Sequence, residues 1–312
     1  KAVDHFENSL KNKKYRYALD VDVKKTAGRP LFQSFGKTIY YAEWLPANKH
    51  RPEIILLKID GARSKKEASF YVDLSRHPHI VRTYGLVHEE NEDEGDENNA
   101  VMLLQEHAPM GSLYDVLQER KKAPDEKILI EVFLQILDAM IFLAFNNVIH
   151  ADLACRNVLV FRFDENDPKK IIVKVTDFGL SRHSQLYSLA PSAKKTILNI
   201  IPTRYVAPEI LLVNASQDDY TEKSDVYSMG VLMWEAYSRC ATPWAKITDD
   251  NEVARRTING ERLPKPKNCT ESFWSIISKT WSKSPTDRPT FAELKHLLTK
   301  QYYDTLLTPS NI

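Results

Sequence analysis

Val148-Ile149-His150-Ala151-Asp152-Leu153-Ala154-Cys155-Arg156-Asn157 decides the fold of this 312-residue chain. It sets a carboxylate, Asp152, five positions before an amide oxygen, Asn157, with the guanidinium of Arg156 between them. A carboxylate can accept a proton and an amide oxygen can hold a hard cation, so one short loop carries both capacities. Alone, that spacing is common. Its sequel is not: Asp177-Phe178-Gly179 comes twenty residues after Asn157, at the end of the strand-like run Ile171-Ile172-Val173-Lys174-Val175, and Ala207-Pro208-Glu209 follows.

A hydrophobic content of 43% lets a chain of this length bury a sizeable core, as one large domain or as two lobes. Forty-three basic against 42 acidic side chains leave a formal charge of +1, which gives no surplus for nucleic acid or another polyanion. Cys155, Cys240 and Cys269 lie far apart and form no C-x-x-C, so neither a disulfide framework nor a zinc site is indicated. A reducing, intracellular compartment is expected. The longest apolar stretch, Ile128 to Phe145, is interrupted by Glu131, Gln135 and Asp138 and reads as too short and too polar to span a bilayer. No signal peptide is visible. A chain that begins at Lys1 reads as a fragment, and the cytoplasmic part of a receptor would look the same.

The three motifs, in this order and spacing, resemble the signature set of the eukaryotic protein kinases, tyrosine kinase group. The resemblance covers residues from about 20 to 300. It implies an α+β, bilobal protein kinase fold: a small antiparallel β-sheet N-lobe with one helix, and a larger, mostly α-helical C-lobe. The implied divisions are a lead-in over 1–18, an N-lobe over 19–106, a C-lobe over 107–303 and a tail over 304–312. Implied ligands are ATP, Mg2+ and proteins bearing tyrosine, with no membrane contact from the chain itself and regulatory domains outside it.

In the N-lobe, strands are expected at 17–23, 39–44 and 53–58. The glycine-rich loop that should lie between the first two is nearly absent. Aligning Ile39 with its terminal valine puts Phe32, Ser34 and Lys37 at the three glycine positions, with Gly36 a near miss. Lys58 matches the lysine that pairs with the α- and β-phosphates, and Leu56 replaces the small residue that roofs the adenine. A helix over Ser64–Leu74 supplies Glu67 as the partner of Lys58, only nine positions on, a tether expected to hold the two together. The run His77-Pro78-His79-Ile80-Val81 follows, then seven acids within 88–99 read as a solvated loop. Gln105 falls at the gatekeeper position, and the backbone of Glu106 and Ala108 should meet the adenine edge.

In the C-lobe, apolar rows at 128, 132, 136 and 140, and at 129, 133, 137 and 141, predict a central helix over 125–145. Asp152 would orient the substrate hydroxyl, Arg156 would stabilise the transferring phosphoryl, and Asn157 with Asp177 would hold Mg2+, while Leu159 floors the adenine. Asp225 should brace the catalytic-loop backbone, Arg288 should pair with Glu209, and Thr290-Phe291-Ala292-Glu293 reads as a capping box. Ala154 stands where serine/threonine kinases carry lysine, and Arg156 matches the D-L-A-A-R-N of tyrosine kinases. Tyr205 and Thr203 depart from the tyrosine-kinase pattern before A-P-E and leave a serine/threonine reading open. Ala151 replaces the arginine that receives an activation-loop phosphate, so modification of Tyr187, on the 33-residue loop from Asp177 to Glu209, should matter little. The missing glycines, Leu56, Gln105 and Ala151 also keep open a pseudokinase acting as an allosteric or scaffolding module, and Gln105 together with Leu56 resembles the pseudokinase domains of Janus kinases.

Overall fold

The computed structural model describes residues 15–26, 28–34, 36–47, 50–89, 100–183 and 201–307. Tyr187 and the acidic run beyond Glu89 lie outside the described residues. The chain forms two compact units, Lys1–Ala108 and Pro109–Ile312.

Among the described residues, the first unit is a seven-stranded sheet with one helix. Its strands are β1 (Arg16–Ala18), β2 (Val23–Lys25), β3 (Phe32–Ser34), β4 (Lys37–Trp44), β5 (Ile54–Ile59), β6 (Thr83–His88) and β7 (Val101–Glu106). Helix α1 (Ser64–Leu74) has the span expected of it. The order is β1-β6-β7-β5-β4-β2, with β3 also on β4, and every pair is antiparallel except β1 with β6. Central β5 reads Ile-Ile-Leu-Leu-Lys-Ile because both of its faces are covered; all but Lys58 are buried.

The expected single strand over 17–23 is two strands. Asp20 sits at φ +64°, a region that a short polar side chain tolerates, and the Asp22 carboxylate accepts the Ala18 N–H at 2.8 Å. The turn so made sends β1 to the far edge of the sheet, so residues 16–18 are sheet rather than lead-in. Gly85 makes this docking possible: a Cβ there would lie 2.2 Å from the Tyr15 carbonyl oxygen. Gly85→Ala should therefore cost about 1–3 kcal/mol through overpacking. Hydrogen exchange should show the loss as faster amides at Arg16–Leu19.

The first unit ends at Ala108, two residues past the expected break after Glu106. His107 explains the difference, since its N–H donates to Glu53 O at 3.0 Å and its ring meets the Glu53 carboxylate at 3.0 Å. Those bonds tie it to the sheet.

The second unit contains α2 (Leu113–Gln118), α3 (Glu126–Phe145), β8 (Val148–Ile149), β9 (Val158–Arg162), β10 (Ile172–Val175), β11 (Arg182–His183), α4 (Glu222–Tyr237), α5 (Asp250–Ile258), α6 (Glu271–Thr280) and α7 (Phe291–Leu307). The last helix runs past the expected limit at 303. Helix α3 is the central one: Leu129, Val132, Phe133, Ile136, Leu137 and Met140 are all fully buried. By length and apolarity α3 could cross a bilayer, contrary to the sequence expectation, because three polar residues do not offset twenty largely apolar ones. Instead 61% of its apolar window is buried inside the protein. Gln135 serves this packing, donating to Ile171 O at 2.8 Å and accepting from Val173 N at 3.0 Å, which pins β10 to the helix.

Candidate active site

The loop between β8 and β9 carries Asp152, Arg156 and Asn157, and helix α4 fixes its backbone at two points. Asp225 is buried, and its two oxygens accept the N–H groups of His150 at 2.7 Å and Ala151 at 2.9 Å, the brace that the sequence led us to expect. Burial pushes its carboxyl up, against the opposing pull of His150 and the two N–H groups. Those bonds hold Ala151 at φ +65°, a conformation that costs a non-glycine residue free energy unless its surroundings impose it. The second brace was missed. Glu235 lies in the α4 motif, but nothing in its spacing distinguished it from a surface glutamate.

Glu235 is buried and accepts the Cys155 N–H at 2.9 Å and the Tyr205 hydroxyl at 2.8 Å. Burial beside this carboxylate pushes the Tyr205 phenol well up, so it remains a donor. The Arg156 guanidinium lies 4.8 Å from the centre of the Tyr205 ring. Tyr205, read in the sequence as a departure before A-P-E, is thus the link from that segment to the loop. Arg204 anchors the same segment, donating to the Pro243, Trp244 and Ile247 carbonyls at 2.8–3.1 Å and to Asp250 at 2.9 Å.

On this base the polar groups converge. Asn157 Nδ2 donates to the Asp152 carbonyl at 2.7 Å and to its carboxylate at 2.8 Å, and Arg156 pairs with the same carboxylate. Burial raises the Asp152 carboxyl above the ordinary aspartate value; nearby Asp177 adds to this, while Arg156, His150 and Asn157 oppose it. Thr176 N–H donates to Asn157 O at 3.0 Å, which sets the next residue, Asp177, beside the loop. Asp177 stands at φ +66° and accepts the Gly179 N–H at 3.1 Å. Asn157 spends its amide nitrogen on Asp152, which leaves its oxygen, like the Asp177 carboxylate, a hard donor of the kind that Mg2+ takes. Leu159, half-buried on β9, pairs with Lys174. Deeper in the unit, Arg288 pairs bidentately with Glu209 at 2.7 and 2.8 Å, as expected. The Thr290–Glu293 capping box also forms.

The first unit departs from expectation. Opposed residues in an antiparallel pair share a face, and neighbours along a strand alternate. Ile39 opposes Leu57, Leu57 opposes Leu103 and Ile55 opposes Gln105, so Ile39 and Gln105 share one face. Leu56 opposes Tyr40 and Leu104, and Lys58 opposes Thr38 and Met102, so these two lie on the other. The residues expected to line one adenine site therefore divide between two faces. Leu56 packs in a core with Leu19, Val23, Trp44 and Leu104 and does not roof a ligand on the Gln105 face.

The expected Lys58–Glu67 pair is also replaced. Glu67 pairs with Lys37 at 2.6 Å, and Lys58 lies 3.5 Å from Asp60. Alternation explains it, because Lys37 opposes Ile59 and so falls on the face of Leu57 and Ile39. Gln105 is buried and donates to the Thr83 hydroxyl at 3.0 Å. The Glu106 N–H is bonded to Arg82 O at 3.1 Å, and Ala108 closes the unit.

A family model described as protein tyrosine and serine/threonine kinase matches residues 34–298. Tyrosine-protein kinase Fer of Rattus norvegicus is 33% identical over 224 residues, 72% of this chain and 24% of that protein. Tyrosine-protein kinase csk-1 of Caenorhabditis elegans is 32% identical over 234 residues, 75% of this chain and 39% of that protein. The chain thus spans between about a quarter and two-fifths of the length of these curated relatives.

Proposed function

The chain belongs to the protein tyrosine and serine/threonine kinase family, and from that membership we propose that it transfers the γ-phosphoryl group of MgATP to tyrosine hydroxyls of proteins. The observation that carries this is the Asp152 carboxylate, held by Asn157 at 2.8 Å and by Arg156 on a loop braced from α4. Such a group can align a substrate hydroxyl and take its proton as the oxygen–phosphorus bond forms and the bond to ADP breaks. Arg156, four residues on, supplies positive charge near the transferring group. Asn157 and Asp177 would hold Mg2+, which supplies charge neutralisation at the phosphates when bound. Tyrosine preference rests on Arg156 with Ala154, and on curated relatives named as tyrosine-protein kinases.

One ground for a non-catalytic module falls away, since Leu56 is spent in the opposite core. Three buried, unpaired thiols suit a reducing compartment, the cytoplasm or the cytoplasmic side of a receptor. The test is transfer of radiolabelled phosphate from ATP with Mg2+ to a mixed Glu/Tyr polymer, followed by phosphoamino-acid analysis. Phosphotyrosine is the expected product; phosphoserine, or no transfer by folded protein, would refute the proposal.

The raised Asp152 carboxyl gives a second check. Rate should fall as Asp152 gains a proton, so the acid limb of kcat/KM should lie above an ordinary aspartate's range. Arg156 pulls the carboxyl down, so in Arg156→Ala that limb should move to higher pH, in addition to any loss of rate.

A further inference from the structure

A lysine outside the expected strand position is the one that Glu67 holds. The geometry points to Lys37 of β4, rather than Lys58 of β5, as the side chain that binds the α- and β-phosphates of the nucleotide. This rests on the kinase reading, in which the phosphate-binding lysine is the one ion-paired to the helix glutamate.

Three observations carry it. The first is the pair itself. Lys37 and Glu67 approach to 2.6 Å with side chains only 18% and 8% exposed, whereas Lys58 and Asp60 stand 3.5 Å apart at 40% and 46%. A pair withdrawn from solvent is screened less and fixes its ammonium more firmly.

The second is the face. Lys37 shares a face with Ile39 and Gln105, two of the residues that the motif assigns to the nucleotide; Leu56, which the motif also assigns there, lies on the reverse with Lys58 and is packed into a core instead. Rotation about side-chain bonds cannot carry Lys58 through the sheet, since its neighbours Leu57 and Ile59 are only 4% and 2% exposed. A one-residue slip of β5 would be needed, and that would turn every other side chain of the strand over.

The third is the turn. Lys37 opens β4 directly after Gly36, which sits at φ +78° and whose carbonyl accepts the Asp60 N–H at 2.8 Å. Ser34 of β3 and Lys37 of β4 are paired directly. With Ile39 aligned on the terminal valine, Lys37 occupies the third glycine position of the phosphate loop. The loop has exchanged a glycine for a cation and, one strand over, Lys58 is released from the role.

The test is calorimetric titration of the full chain with ADP and Mg2+, which reads binding without turnover. Lys37→Met should weaken ADP by about tenfold or more, and Lys58→Met by less than about threefold. Lys37→Met leaves a mostly buried carboxylate without that ammonium, so the double variant Lys37→Met with Glu67→Gln guards against misfolding and should show the same loss. A tenfold or greater loss in Lys58→Met, or retained affinity in either Lys37 variant, would overturn the assignment while leaving the kinase reading intact. Absence of ADP binding in the unsubstituted chain would overturn both.

Discussion

Asp152→Asn is expected to lower phosphoryl transfer to a Glu/Tyr polymer by about 10²–10⁴-fold, the usual contribution of a positioned proton acceptor. The substitution keeps the size of the side chain and removes its negative charge, and with it both the capacity to take a proton and the ion pair with Arg156. The fold should survive it. Asn157 retains its 2.7 Å bond to the residue 152 carbonyl, and the loop backbone is still held by Asp225 and Glu235. The loss should therefore appear in kcat, with little change in KM for ATP. A variant with undiminished kcat would remove Asp152 from the chemistry. A variant that unfolds would instead assign it a structural part, which melting temperature and far-UV dichroism would reveal.

Arg288→Met should destabilise the second unit by about 3–5 kcal/mol, because it strands the Glu209 carboxylate in the interior. The Arg288 side chain is 0% exposed and Glu209 14%, so solvent cannot take the place of the missing charge. For a unit of this size the loss corresponds to a fall in Tm of about 6–20 °C. Glu209→Gln should cost less than Arg288→Met. Arg288 also donates to the Ser282 and Lys223 carbonyls at 2.9 and 3.0 Å, and only its removal leaves those acceptors unmet. The double variant should lose less than the sum of the singles, since the two groups act as one unit. Strict additivity would show that the pair contributes nothing beyond its separate members.

The second brace on the active-site loop shows why such sites are hard to read from a sequence. Asp225 was legible because its motif is distinctive. Glu235 lies ten residues further along the same helix, and its bonds to Cys155 and Tyr205 cross 80 and 30 residues of chain. Only folding brings those three together. Tyr205 read as an anomaly for the same reason: the carboxylate that makes a tyrosine useful there is far away in sequence.

What the sequence determined by itself is the family, the two-unit plan and which residues stand on the loop that we propose for the chemistry. Asp152, Arg156 and Asn157 meet because they lie within six residues, so a short loop must bring them together whatever surrounds it. Local order also set the span of α1 and the burial of α3, whose apolar rows fix the inward side of a helix of known pitch. The tertiary structure alone decided which lysine meets Glu67. In a strand the face of a side chain turns on a single step of register, and that register is set by pairing between β4, β5 and β7, not by any residue's own preference. A motif counted along β5 names Lys58; the sheet turns Lys58 away and presents Lys37.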